Sequence, residues 1–167
     1  GSNAITIGSS GNTGTVILGG SSTYTGTTTV AYGTLQLGAT GNSTNTPLGT
    51  TAAGTSISAG ATLDLNGYTL GTAEALTING YGVGSNGALI NSSTATAATY
   101  SGPITLGSAS YIGGAGSMTI SGAIGGSSLA FVNGGSYTLS NTGNTITTTA
   151  ASGIGSLTLK NNADLTI

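Results

Sequence analysis

The sequence predicts an all-β fold, a parallel β-helix of about eight coils. Three observations predict it. Apolar and small polar residues alternate in short runs such as Thr62-Leu63-Asp64-Leu65, the mark of half-buried strands. The runs are separated by Gly, Asn and Ser, most clearly at Asn66-Gly67, a dipeptide that accepts the positive φ of a tight turn. Charge is almost missing: Asp64, Glu74, Lys160 and Asp164 are the only charged residues, 2% of the chain, against about 25% in an ordinary domain.

The runs follow one another along the whole chain. Ala4-Ile5-Thr6-Ile7, Thr15-Val16-Ile17-Leu18, Thr27-Thr28-Thr29-Val30 and Thr34-Leu35-Gln36-Leu37 open the series. The longest loop spans Gly38 to Gly54 and carries Pro47. Ser56-Ile57-Ser58, Thr62 to Leu65 and Tyr68-Thr69-Leu70 form the centre, followed by Ala75 to Ile78 and Ala88 to Ile90. Ile104-Thr105-Leu106, Ser110-Tyr111-Ile112, Ser117 to Ile120, Ala123-Ile124 and Ser128 to Phe131 come next. Ser136 to Leu139, Thr145 to Thr147, Ser156 to Leu159 and Leu165 to Ile167 complete it. Only Glu74 to Ile78 offers a turn of helix, and the glycines around it argue against one.

Runs this short do not cover a sandwich core, and a sandwich carries charge on its outer faces. Stacked coils satisfy both observations, with apolar ladders inside and Thr, Ser and Asn outside. At roughly twenty residues per coil and about 4.8 Å per coil, the solenoid is about 40 Å long. Residues 1–167 are read as one solenoid domain, a repeat unit or a piece of a longer chain or fibre. Disorder is rejected, because the net charge is only −2 and Ile, Leu and Val recur in order.

Gly19 to Gly38 reads GGSSTYTGTTTVAYGTLQLG. It resembles the passenger-associated repeat of bacterial autotransporters, with Tyr24-Thr25-Gly26, Thr28-Thr29-Val30 and Gly33-Thr34-Leu35 in the repeat's order. Ala59 to Tyr68 resembles the segment that commonly follows it. The likeness is close over residues 19 to 70 and one of style beyond. It implies a right-handed parallel β-helix exported to the bacterial cell surface, in a family of adhesins, matrix components and stalks. No leader or translocator barrel accompanies it in this sequence.

The inventory limits the chemistry. There is no His, Arg or Cys, one Lys and three carboxylates. Glycosidases need a matched carboxylate pair, and Asp64, set between Leu63 and Leu65, is expected to point outward as a solvated strand residue. No enzyme activity and no cofactor is expected. Zinc has no ligand set, and Asp64 with Asn66 falls short of the six or more oxygens that calcium takes. Nucleic acid is excluded by the acidic balance. No eighteen-residue apolar run offers a membrane span. The seven tyrosines are read as closing coil corners or packing between units; exposed together, they would stack on sugars.

Two functions remain. The first is a structural surface or extracellular protein whose units stack end to end into a fibre, matrix or stalk. Its partners are copies of itself or adjacent repeats of the same chain. Ile5 and Ile7 near the start, and Leu157, Leu159, Leu165 and Ile167 near the end, are the stacking residues. No charged gatekeeper stands near them except Lys160 and Asp164, and an open coil is a template for more pairing. Joining Asp164-Leu165-Thr166-Ile167 to the first residues gives an uninterrupted repeat. Ser2-Asn3-Ala4 reads as part of that repeat, with a remnant of tag removal as the lesser alternative. The alternative function is an adhesin passenger that binds glycan or a host surface. It calls for an insertion bearing exposed aromatics, and the loop from Gly38 to Gly54 has none.

Overall fold

Alternation in an extended chain sends every second side chain to one face, and stacking the coils turns that face into a closed core. The computed structural model describes residues 1–167. The first coil is β1 (Ile5–Ile7) and β2 (Thr15–Leu18). The second is β3 (Thr28–Val30) and β4 (Thr34–Leu37), and the third is β5 (Thr55–Ile57) and β6 (Thr62–Asp64). The fourth gains a third strand: β7 (Leu76–Gly80), β8 (Leu89–Ile90) and β9 (Ala98–Tyr100). Then come β10 (Ile104–Gly113) with β11 (Met118–Ile120), β12 (Ile124–Val132) with β13 (Ser136–Leu139), and β14 (Thr145–Ser152) with β15 (Ser156–Leu159). Residues 165–167 begin an eighth coil, where Thr166 bridges Thr148. All strand pairs are parallel. The fold is therefore an all-β solenoid of about eight turns.

Three faces run along the axis. On the first, Ile7, Val30, Ile57, Ile78 and Leu106 stack in register. On the second, the inward ladder is Val16, Leu35, Leu63, Leu89, Ile112, Phe131 and Ala151. On the third, Tyr100, Ile120, Leu139 and Leu159 stack beside Ala98, Met118, Tyr137 and Leu157. Twenty-seven buried apolar residues form one continuous cluster. Outside, Thr99, Thr119, Thr138 and Thr158 make an uncharged threonine rank in the same register.

Several features differ from the sequence reading. Tyr68 to Leu70, read as a strand, takes no regular secondary structure, and the runs at 123–124 and 128–131 are one strand, β12. Segments 104–106 and 110–112, expected as separate strands, are both part of β10, which bends through the corner with a register shift between Leu106 and Ser110. The corner residues Gly107, Ser108 and Ala109 are small, so the chain turns without leaving extended backbone. The third face, in turn, has no strand before the fourth coil. Leu48 and Leu70, both buried, fill that side from the loops, and the backbone N–H of Thr99 reaches the Thr69 hydroxyl at 3.2 Å.

Asparagines tie the coils together where the chain turns. The buried Asn91 accepts from the N–H groups of Gly67 (2.8 Å) and Ser93 (3.1 Å) and donates to the carbonyls of Thr96 and Ser117, each at 2.9 Å. Asn144 accepts from Ile124 N–H at 2.7 Å and donates to Lys160 O at 2.8 Å. An amide side chain mimics the backbone's own donor and acceptor, so it satisfies corner groups that the ladders leave open.

Stability rests on the ladders rather than on the outer ranks. Leu63→Ala, at a fully buried position, is expected to lower unfolding free energy by about 2–5 kcal/mol. Ile17→Thr, at a 62% exposed position, is expected to stay within about 0.5 kcal/mol. Urea titration followed by far-UV circular dichroism separates the two.

Candidate functional site

The six residues expected at the stacking ends lie at opposite ends of the solenoid. Ile5 and Ile7 are on β1, the first half-buried and the second buried. Leu157, Leu159, Leu165 and Ile167 line one open concavity of about 540 Å³ with Ala150, Ala151 and Ala163. Ile167 is 95% exposed. Val16 and Ile17 at the first end, 40% and 62% exposed, were not singled out by the sequence. Val16 and Ala151 head and close the same inward ladder, so that ladder is open at both ends. β2 pairs only with β4, and β15 only with β13. Their outer edges hold free backbone donors and acceptors.

Of the two carboxylates that alternation places outward, Asp164 is exposed and Asp64 is covered. Asp64 does face away from the core, yet it is buried. Its Oδ2 accepts from Gln36 Nε2 at 2.7 Å, and its Oδ1 accepts from the N–H groups of Asn66 (2.9 Å) and Ser92 (3.0 Å). Neighbouring coils have closed over it, giving it the donors a buried carboxylate needs. It is a brace between three coils rather than a solvated strand residue.

Glu74 lies inside, fully buried. Its Oε1 accepts from the Thr55 hydroxyl at 3.1 Å, and its Oε2 has no partner. The Tyr100 hydroxyl donates to its backbone carbonyl at 2.8 Å. Thr28 and Thr55 interrupt an apolar ladder here, and Tyr24 reaches the Thr28 hydroxyl at 2.6 Å. Loss of hydration pushes the Glu74 carboxyl up to about 7, with the Thr55 hydroxyl opposing the shift. Burial, and then the Glu74 charge, raises the hydroxyl of Tyr100 well above the usual tyrosine range. No three metal-ligating side chains come together anywhere in the chain.

The corner between the first and second faces carries the feature that sequence reasoning missed. In the second coil this corner is residues 31–33 and in the third 58–61; in the fourth it swells to residues 81–88. The inserted loop is fixed at its neck and its tip. Gly87 N–H donates to Tyr81 O at 2.9 Å. The Thr62 hydroxyl of the coil below accepts from Val83 N–H and donates to Gly87 O, each at 2.9 Å. Asn133 Nδ2 donates to Asn86 Oδ1 at 3.1 Å.

Gly82 is obligatory in this loop: its φ is +75°, and a Cβ there would lie 1.9 Å from Gly87 O. Ser85 takes a left-handed φ of 59°, a strained choice for a residue with a side chain. The sequence signal was the glycine at every second position in Gly80-Tyr81-Gly82-Val83-Gly84, which no other turn repeats. Tyr81 stands at the start of the loop, 48% exposed, with its ring 4.4 Å from that of Tyr111. Tyr32, on the same corner two coils earlier, is 42% exposed. The remaining tyrosines divide differently: Tyr100 and Tyr137 are core residues, and Tyr24 and Tyr68 are half-buried.

Glu74 makes stability depend on pH. The folded chain holds its proton more tightly than the unfolded chain, so this contribution is complete below about pH 4 and is lost as pH rises through about 7. Glu74→Gln removes the charge, and is expected to flatten the dependence between about pH 5 and 8 and add about 1–3 kcal/mol at pH 8. Thermal melts of both proteins across that range check it; parallel curves would refute it.

No protein-family model matches the chain, and no curated protein or solved structure matches it.

Proposed function

We propose that this chain is a structural β-solenoid of the bacterial cell surface or extracellular matrix, stacking end to end with copies of itself or adjacent repeats. One observation carries the reading: the core is left open at both ends, by apolar side chains and unpaired strand edges together. Val16 stands at one end, and Leu157, Leu159, Leu165 and Ile167 at the other. An open parallel coil presents its hydrogen-bonding groups along the axis, the direction in which another coil adds. The two ends are different surfaces, so their contact is head to tail and does not close, which generates filaments. The near absence of charge supports the same reading, since little repulsion keeps copies apart. The finer reading, a passenger of the autotransporter kind, is supported by the resemblance of residues 19 to 70 to the passenger repeat.

A second reading, a surface module that binds glycan, is favoured by the exposed Tyr81 on the inserted corner of the fourth coil. A stalk and a glycan-binding face are compatible, because one uses the ends and the other a side.

In physiological buffer the chain is expected to form filaments with an axial repeat near 40 Å, about eight strand spacings, visible by electron microscopy. Leu165→Asp and Leu157→Asp place charge in the open end and are expected to leave short single particles with unchanged circular dichroism. Wild-type particles that stay short and single at every concentration would overturn stacking by this chain.

A further inference from the structure

We infer that the corner between the first and second faces is a binding site for a neutral, extended β-1,4-linked glycan chain lying along the solenoid axis. The inference rests on the second reading above and gives it a location and a ligand class. Tyr32 and Tyr81 occupy this corner in the second and fourth coils. The third coil offers only Ala59 and Gly60 between them, and a Cβ on Gly60 would meet nothing within 4 Å. The two exposed tyrosines therefore stand on either side of a low step, with their backbones two coil spacings, about 10 Å, apart along the axis. An extended β-1,4-linked chain turns over at every sugar, so every second residue presents the same face. Its disaccharide repeat is close to that separation, and each ring meets an equivalent sugar face.

The chemistry of the corner agrees. A concavity of about 330 Å³ adjoins Tyr81, floored by Ala59, Gly60, Gly80 and Gly82 and edged by Ser85 and Ser108. Aromatic rings stack on the C–H faces of sugars, and hydroxyls exchange hydrogen bonds with their edges. Tyr81 is steadied by Tyr111, and the loop that carries it by Thr62 and Asn133. The site is thus formed before a ligand arrives, which limits the ordering cost of binding. The corner is neutral: Asp64 and Glu74 are buried, and Lys160 follows β15 in the seventh coil. An anionic or cationic glycan finds no partner there, whereas an uncharged one loses nothing.

Calorimetric titration of the intact chain with cellohexaose tests the site. Saturable binding is expected, weakened about tenfold or more by either Tyr81→Ala or Tyr32→Ala. Tyr81→Phe and Tyr32→Phe keep the ring and are expected to bind as the wild type does. Repeating the titration on Leu165→Asp separates the site from stacking, because binding is expected to persist in particles that no longer assemble. A measurement without substitution guards against misfolded variants: cellohexaose is expected to shift the nuclear magnetic resonance signals of the Tyr32, Tyr81 and Tyr111 rings and leave those of Tyr100 and Tyr137 unmoved. No binding at millimolar cellohexaose, alanine variants that bind like the wild type, or binding of polygalacturonate in its place would overturn the inference.

Discussion

In-register stacking of parallel coils is the constraint from which the other features follow. Each residue lies about 4.8 Å from its counterpart one coil away, so whatever occupies a position must tolerate a neighbour at that distance. Aliphatic side chains gain from it, as the ladder from Val16 through Leu63 and Phe131 to Ala151 does. Threonines tolerate it, as the outer rank from Thr99 to Thr158 does. Like charges do not, and the few charged residues stand apart in the register. Asp64 sits between Gln36 and Ile90 rather than beside another acid. A near-neutral composition is therefore what a regular parallel stack asks of its sequence.

The same constraint explains the polar interior. Corners interrupt the ladders and leave backbone groups without partners, and a buried unpaired group costs about 1–3 kcal/mol. Asn91 and Asn144 supply the missing donors and acceptors, and Asp64 gathers two donors from neighbouring coils and one from its own. Glu74 departs from this, with one oxygen unpartnered, as do the hydroxyls of Thr72 and Thr149. It sits where Thr28 and Thr55 break an apolar ladder, and it makes that region of the core responsive to pH.

Regularity along the axis also shows where function is to be sought. Every coil is built to receive another, and the apolar ladders run out to both ends. Besides gaining β9, the fourth coil departs from the second and third at the corner between the first two faces, where residues 81–88 take more chain than the turn requires. Left-handed Ser85, the glycine-only neck at Gly82 and the exposed ring of Tyr81 are concentrated there. Strain and exposed aromatic surface held together by several hydrogen bonds are costs that folding alone does not require.

The solenoid was legible in the amino-acid order itself. Period-two alternation, Asn-Gly and Gly-Gly turns and missing charge report directly on strands, corners and stacking, because each is a local property of a chain in extended backbone. Which residues end up covered was decided only by the tertiary structure. Asp64 looked solvated from its neighbours Leu63 and Leu65, yet it is covered by Gln36, Asn66 and Ser92, two of which lie a whole coil away in sequence. Tyr32 and Tyr81 are separated by forty-nine positions in the chain and share one corner because coils of unequal length return to the same face. Local pattern sets the backbone's periodicity. The lengths of the loops between strands, read only once the coils are stacked, decide which side chains meet.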